Sequence, residues 1–256
     1  MKDNRTEAWV LGKAIGLGGF GEIYAASKLG SDDEEYVVKV EPHSNGPLFV
    51  EINFYIRSAK PDQIDEFRHH HHMGRTPLGV PSFVASGSLE FRNGKYRFLV
   101  LPRYGLDVQT LHDQCGHAFP PQTAYNLALQ VLQSLEYIHA RGYVHKDVKG
   151  SNLLLGRSHD DRHRVYLVDY GLASRYIHSG LHKPYIHDER WAHEGTLEYT
   201  SRDAHIGCPS RRGDIEVLLY NLIEWLGGHL PWDHEEFVKP TVIKEAKFKA
   251  FANVQD

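Results

Sequence analysis

Asp147, Asn152 and Asp169 fall within one stretch, YVHKDVKGSNLLLGRSHDDRHRVYLVDYG at 143–171. A carboxylate within reach of a hydroxyl nucleophile, beside an Asn and a second carboxylate suited to a metal ion, is the equipment of phosphoryl transfer. The order H-x-D-x-K-x-x-N, an apolar triplet, then D-aromatic-G is long and specific. Such chemistry also needs a phosphate cradle and a lysine, which other elements of the chain must position.

A cradle is available near the N-terminus. Ile15, Gly16, Leu17, Gly18, Gly19, Phe20, Gly21, Glu22 and Ile23 form G-x-G-x-x-G flanked by strand formers. Glycine at 16, 18 and 21 lets a backbone approach phosphates with its N–H groups inward. The same spacing occurs in dinucleotide-binding turns, where a helix follows the last glycine. Here Glu22-Ile23-Tyr24-Ala25-Ala26-Ser27 continues as strand, so a hairpin over a nucleotide fits better. A glycine turn that binds nothing is the plainer alternative. The next strand, Tyr36-Val37-Val38-Lys39-Val40, puts Val37 and Lys39 on one face and Val38 and Val40 on the other. A lysine so placed needs a partner. Glu51, in PLFVEINFYI, offers one from a helix that Pro47 starts, with Ser44 and Asn45 as cap candidates. A plain structural ion pair is the alternative.

The remaining elements read in order. Residues 1–8 are a polar lead-in. Residues 58–79 read as a polar, His-rich helix-to-loop connection, and 80–89 as a strand. Asn93-Gly94 signals a hairpin turn into Tyr96-Arg97-Phe98-Leu99-Val100-Leu101. Five strands and one helix before Pro102-Arg103-Tyr104-Gly105 predict a small β-rich lobe at 9–104 and a hinge. The period then becomes helical: Ala124, Leu127, Ala128, Val131, Leu132, Leu135 and Ile138 share one face. Ile215, Leu218, Leu219, Leu222, Ile223 and Leu226 do the same. Residues 105–256 therefore read as a helical lobe.

Composition narrows the class. Hydrophobic residues make 41% and charged residues 24% of the chain, as in soluble globular domains. No apolar run approaches about 18 residues, so no membrane span is expected. The start, MKDNRTEAWVLG, lacks the apolar core of a secretory signal. Cys115 and Cys208 form no disulfide framework, which fits a reducing compartment. A net charge of −4 argues against bulk nucleic-acid binding and is compatible with a basic protein partner. The His run at 69–72 could bind metal, but lacks Cys or carboxylate partners at ligand spacing, so a solvated loop or helix end is expected.

Glycine hairpin, strand Lys, helix Glu, H-x-D-x-K-x-x-N and D-Y-G, in that order, resemble the eukaryotic protein kinases over about residues 9–235. The wording NGPLFVEINFY, YVHKDVKGSNLLL, VYLVDYGLASRY, GTLEYTSRDAH and PSRRGDIEVLLYNLIEWLGGHLPW is similar to the vaccinia-related kinases of the casein-kinase group. The resemblance implies an α+β, bilobal protein-kinase-like fold, with a small β-rich N-lobe and a helical C-lobe. It implies ATP and Mg²⁺ as cofactors. Asp147 would orient the acceptor hydroxyl, Lys149 neutralise the γ-phosphoryl, and Thr196 bond both. Asn152 and Asp169 would hold Mg²⁺, and Lys39, clamped by Glu51, the α- and β-phosphates. Ile15, Ile23 and Val37 would cover the adenine, with Leu154 and Val168 below and behind it. Leu101 would be the gatekeeper, and the backbone of Pro102 and Tyr104 would pair with the adenine edge. Asp214 would cap the backbone around His145.

Three departures stand out. His-Lys-Asp replaces His-Arg-Asp, and Lys146 is a poorer phosphate receptor than Arg, so activation by loop phosphorylation is not expected. Ser201-Arg202-Asp203 replaces A-P-E, and the usual anchor of that carboxylate would lie beyond Asp256. Only 24 residues follow Leu230-Pro231-Trp232, so the C-lobe reads as lacking its last helices, leaving apolar surface on the 210–228 helix. The expected activity is ATP-dependent serine/threonine protein kinase. A pseudokinase scaffold and a small-molecule phosphotransferase are the alternatives. The expected partner is a protein substrate, basic or chromatin-type by family analogy. No nucleic acid, no membrane, a monomer, and a nuclear or cytoplasmic location complete the reading.

Overall fold

The computed structural model describes residues 8–18, 21–74, 76–233 and 239–252. The lead-in up to residue 7, and Gly19 and Phe20 of the hairpin, lie outside the described residues.

Strands β1 (Trp9–Gly18), β2 (Gly21–Lys28), β3 (Tyr36–Pro42), β4 (Ala85–Phe91) and β5 (Gly94–Pro102) form one antiparallel sheet in the order β1-β2-β3-β5-β4. Alternation sorts its side chains. Trp9, Ala26, Val38, Ala85, Phe98 and Val100 make a cluster on one face. Val37, Leu99 and Leu101 point to the other face and join the main core. The 80–89 strand begins later than expected, at Ala85. Pro81 has no N–H for a ladder, and Phe83 N–H instead bonds Ala59 O at 2.7 Å. The β4–β5 turn sits one residue earlier than an Asn-Gly pair at its centre would put it. Arg92 (φ 44°) and Asn93 (φ 63°) take the left-handed positions. Gly94 opens β5, where a Cβ would meet the Tyr96 ring at 2.7 Å.

Helix α1 (Pro47–Ser58) crosses the inner face of the sheet. Its N-cap is Gly46, and neither Ser44 nor Asn45 caps it. The buried Glu41 carboxylate on β3 accepts from Leu48 N–H at 3.0 Å, so the strand supplies the cap. Leu48, Glu51, Phe54, Tyr55 and Ser58 share its buried stripe, which aims Glu51 inward. Phe54 stacks on Tyr170 at 3.8 Å, joining this helix to the D-Y-G turn. A second helix, α2 (Pro61–His70), stands where a connection was expected. Pro61 opens it, the Gln63 side chain accepts from Lys60 N–H, and Ile64 and Phe67 pack inward. The His run begins in its last turn, where His71 stacks on Phe67.

Below the hinge, α3 (Val108–Gln114) precedes the long α4 (Pro121–Ala140). The expected face of α4 is buried except for Leu132, which is exposed. Two short pairs, β6 (Tyr143–Val144) with β9 (Ser174–Arg175) and β7 (Leu153–Leu155) with β8 (Val165–Leu167), carry the loops of interest. The four-residue α5 (Arg202–His205), then α6 (Arg211–Trp225) and α7 (Pro240–Ala252), complete the lobe. Helix α6 buries Val217, Leu218 and Trp225 in the main core and Tyr220 against Leu230, Trp232 and Ile243. Leu219, Ile223 and Leu226, read from the periodicity as part of the shared face, are exposed, the apolar surface on this helix that the short C-lobe led one to expect. Among the described residues, no helix is long and apolar enough to cross a membrane.

Lys247 of α7 is fully buried. Its Nζ donates to the carbonyls of Leu197, Glu198 and Thr200 at 3.1, 2.8 and 2.6 Å. It also lies over the Tyr220 and Trp232 rings. Nearby, His205 is buried, its Nδ1 2.8 Å from Nδ1 of His193. Burial, with the Lys247, His193 and Lys244 charges, pushes the His205 imidazole down to about 3. An unfolded His titrates near 6.5, so between these values the unfolded chain binds a proton that the folded one refuses. The resulting stability is complete above about pH 6.5 and is lost as pH falls toward 3. We expect the thermal midpoint of the native chain to drop more steeply from pH 7 to pH 4 than that of His205→Asn. Parallel slopes would contradict this.

Candidate active site

The loop after β6 is fixed from three sides. Asp214, buried at the start of α6, accepts from His145 N–H and Lys146 N–H at 2.9 Å each, and its Oδ2 is 2.8 Å from His139 Nε2. This is the backbone cap expected of it. The His145 ring accepts from Asp147 N–H on Nδ1 at 3.2 Å and donates from Nε2 to Val168 O at 3.1 Å. Burial lowers its pKa, so the neutral tautomer that makes both bonds persists. The ring also meets Tyr170 edge-on at 4.9 Å. Lys146 (φ 74°) and Asp169 (φ 66°) hold left-handed backbone, a conformation costly to non-glycine residues and found at functional turns.

Four bonds converge on the Asp147 carboxylate. Oδ1 accepts from Thr196 N–H at 3.0 Å and from the Thr196 hydroxyl at 2.7 Å. Oδ2 receives Lys149 Nζ at 2.9 Å and Asn152 Nδ2 at 3.0 Å. Lys149 also donates to Thr196 Oγ1 at 2.6 Å, closing a triangle. Burial alone would raise the Asp147 carboxyl, but Lys149 and Thr196 outweigh it and hold it below the ordinary value.

Lys39 Nζ lies 2.9 Å from both Glu51 oxygens and 3.7 Å from Asp169 Oδ1. Burial would lower its ammonium; Glu51 and Asp169 reverse that and hold it above the usual lysine value. A cavity of about 80 Å³ opens here, lined by Gly21, Ile23, Lys39, Pro47, Glu51 and Asp169 among others. A Cβ on Gly21 would sit 2.3 Å from Val40 O, so only glycine allows this close pairing of β2 with β3.

The oxygen donors fit a hard divalent cation. Asn152 uses its Nδ2 on Asp147 O and Oδ2, which makes Oδ1 the atom available to a metal. The Asp169 carboxylate beside Lys39 is half-exposed. Carboxylate and carboxamide oxygens are the ligands that Mg²⁺ prefers.

Of the other expected nucleotide-contacting residues, Glu22 and Ile23 line this cavity, and the rest are placed by the strands and segments that carry them. Ile15 and Gly16 belong to β1, where Gly16 pairs with Ile23, Leu17 with Glu22 and Gly18 with Gly21. Glu22 in turn faces Val40 across β2 and β3. Val37 pairs with Leu101, which is buried, and Pro102 ends β5 opposite Tyr36. Tyr104 stacks on Tyr166 at 4.1 Å, and Leu154 pairs with Tyr166. Val168 precedes Asp169, its N–H bonded to Asn152 O.

Some contacts were not read from the sequence. Lys146 Nζ pairs with Glu194 at 2.5 Å, so an internal carboxylate engages it. Asp203 finds its anchor inside the chain, contrary to expectation. Arg212 grips it at 2.7 and 2.9 Å, and Tyr185 and Ser210 donate to it. The adjacent arginines of PSRRGD, followed by a helix, were the available signal. Nothing in the sequence marked Lys247, because it is one of three lysines in α7 and its spacing does not set it apart from Lys244 and Lys249.

Residues 83–211 match the protein kinase domain family. Nucleosomal histone kinase 1 of Drosophila melanogaster is 48% identical over 96% of this chain. Serine/threonine-protein kinase VRK2 of Homo sapiens is 45% identical over 96%. The B1 kinase of Variola virus is 38% identical over 99% of this chain and 82% of its own length. A solved structure of vaccinia related kinase 3 superposes with a TM-score of 0.86, covering 97% of this chain and 74% of the other, at 33% identity. The chain belongs to the protein kinase family, in its vaccinia-related branch. It spans 40% of the Drosophila protein and 48% of the human one.

Thr196→Val removes one donor to the ionised form of Asp147 while keeping side-chain shape. A lost hydrogen bond to the charged form raises a carboxyl pKa. A ¹³C titration of the Asp147 carboxyl should therefore show a higher midpoint in the variant. An unchanged midpoint would mean the hydroxyl contact is absent in solution.

Proposed function

We propose that this chain is an ATP-dependent serine/threonine protein kinase that passes the γ-phosphoryl of ATP to a hydroxyl of a protein substrate. One observation carries the reading: the Asp147 carboxylate is kept ionised between Lys149 and Thr196, beside Asn152. Residues 9–104 serve as the lobe over the nucleotide and those from 105 onward as the lobe for catalysis and substrate.

The chain's own groups have separate tasks. Lys39, held by Glu51, is placed for the α- and β-phosphates. The backbone at Gly16, Leu17, Gly18 and Gly21 covers the phosphates, and Ile15, Ile23, Val37, Leu154 and Val168 enclose the base. Pro102 O and Tyr104 N–H at the hinge pair with its edge, behind which Leu101 closes the pocket. Asp147 orients the acceptor hydroxyl and takes its proton, while Lys149 stabilises charge on the transferring group. Asn152 and Asp169 would hold Mg²⁺, which would supply positive charge to offset that of the phosphates. Lys149, two residues after Asp147, and Thr196 beside both support Ser/Thr specificity. The intact Lys39, Asp147, Asn152 and Asp169 favour catalysis over a scaffold role.

The name of the Drosophila relative points to a histone-type substrate. The net charge of −4 suits a basic partner. A basic chromatin protein is therefore the proposed substrate class, and the nucleus the proposed location, with the cytoplasm as the alternative.

Transfer of labelled phosphate from ATP to histone Ser/Thr tests the reading. Asp147→Asn should cut the rate by about 10²–10⁴-fold while ATP binding stays within a few-fold. Equal rates in the two chains, or ATP binding without transfer by the native chain to histone or casein, would reject it. Because Glu194 already engages Lys146, phosphatase treatment of the enzyme should leave its rate within about twofold. Loss of activity on treatment would show that a loop phosphate is needed.

A further inference from the structure

Outside the active site, among the described residues, one group of side chains converges as metal ligands do. His112, Asp113 and His117 each offer an atom within 4.8 Å of the others'. We propose that they form a binding site for a first-row divalent transition-metal ion, with Zn²⁺ as its representative.

His112 is prepared for the role. Its ring is 6% exposed on α3, packed edge-on against Phe119 at 5.1 Å. Nε2 lies 3.0 Å from the carbonyl oxygen of Glu224. A carbonyl only accepts, so Nε2 carries the proton and Nδ1 keeps the lone pair. A ligating histidine whose second nitrogen donates to a carbonyl has its tautomer and ring orientation set in advance. His117 is placed by backbone. It follows Gly116 (φ 74°), itself takes φ 61°, and its N–H donates to His112 O at 3.0 Å. That turn brings its ring to 5.7 Å from the His112 ring and its Nδ1 to 3.4 Å from Asp113 Oδ1. Gln109 Nε2 donates to the same carboxylate oxygen at 2.9 Å, supporting it from behind.

Two imidazoles and one carboxylate select Zn²⁺ and its transition-metal neighbours over Mg²⁺ or Ca²⁺, which prefer all-oxygen sets. Bonds of about 2.0–2.2 Å bring tetrahedral ligand atoms to about 3.3 Å from one another. Asp113 and His117 are exposed and can rotate to close the set. The other His-rich feature, the run at 69–72, does not assemble such a group. Its His71 ring stacks on Phe67 and pairs with Glu136 at 3.7 Å. The location has a structural consequence. Glu224, whose carbonyl holds His112, also accepts from Tyr199 with its carboxylate at 2.6 Å. A metal here would fix the turn after α3 and the His112 ring, which donates to the last turn of α6, where Glu224 also holds Tyr199.

The test uses the whole chain with His69→Gln, His70→Gln, His71→Gln and His72→Gln, so that the run does not compete, in buffer containing Mg²⁺. Zn²⁺ is titrated against a chromophoric chelator. One Zn²⁺ per chain is expected, with affinity falling about tenfold or more in Asp113→Asn and in His117→Asn. Asparagine tolerates left-handed backbone, so His117→Asn keeps the fold, as far-UV circular dichroism will verify. Co²⁺ in the same site should give visible absorption bands that vanish in His117→Asn. A chain that no longer binds Zn²⁺ once the run is changed overturns the proposal. So does a folded His117→Asn chain that binds Zn²⁺ with unaltered affinity.

Discussion

The buried carboxylate of Asp214 is the constraint on which the site depends. A charge removed from water must be paired or hydrogen-bonded, and this one accepts from two consecutive backbone N–H groups and faces a histidine. The consecutive N–H groups belong to His145 and Lys146, so the start of the loop cannot move without stranding a buried charge. The left-handed turn at Lys146 becomes tolerable because Asp214 holds the two N–H groups that lead into it and the His145 ring takes the N–H that follows. From that anchor His145 reaches Val168, and the Asp147 and Asp169 segments become parts of one hydrogen-bonded unit.

A second set of charges holds the segment that faces this loop. Lys247 gathers three carbonyls from 197–200, Arg212 grips Asp203, and Lys146 meets Glu194. Each contact ties residues near Thr196 to a helix or to the Asp147 loop. Together they keep the Thr196 hydroxyl within 2.7 Å of Asp147 by interactions internal to the chain. In a site where geometry must hold to a fraction of an ångström, such support matters as much as the groups it positions.

Much of this was legible in the residues alone. The alternation around Lys39 placed it on the inner face of the sheet, and the Glu51 helix followed from Pro47 and its apolar stripe. Those are local facts, set by the periods of strand and helix. Elements with mixed signals were less legible. Helix α2 was hidden by the polar run 61–72, because its buried face is only Ile64 and Phe67. The late start of β4 depended on Phe83 bonding to Ala59, a partner far off in sequence. The cap of α1 was sought next to it, in Ser44 and Asn45, but comes from Glu41 on the strand before.

The chemistry is written in the order of residues: which carboxylates, amide and lysines are present, and the strands and helices that carry them. Spacing and periodicity suffice for that, since both act over a few residues. Which polar groups meet is a matter of packing. Lys146 with Glu194, Asp203 with Arg212, Lys247 with three carbonyls, and His112 with the Glu224 carbonyl are settled by how helices and turns pack in three dimensions. A side chain's partner in a folded chain is chosen by burial and by the need to satisfy polar groups away from water. Spacing along the chain does not record that choice.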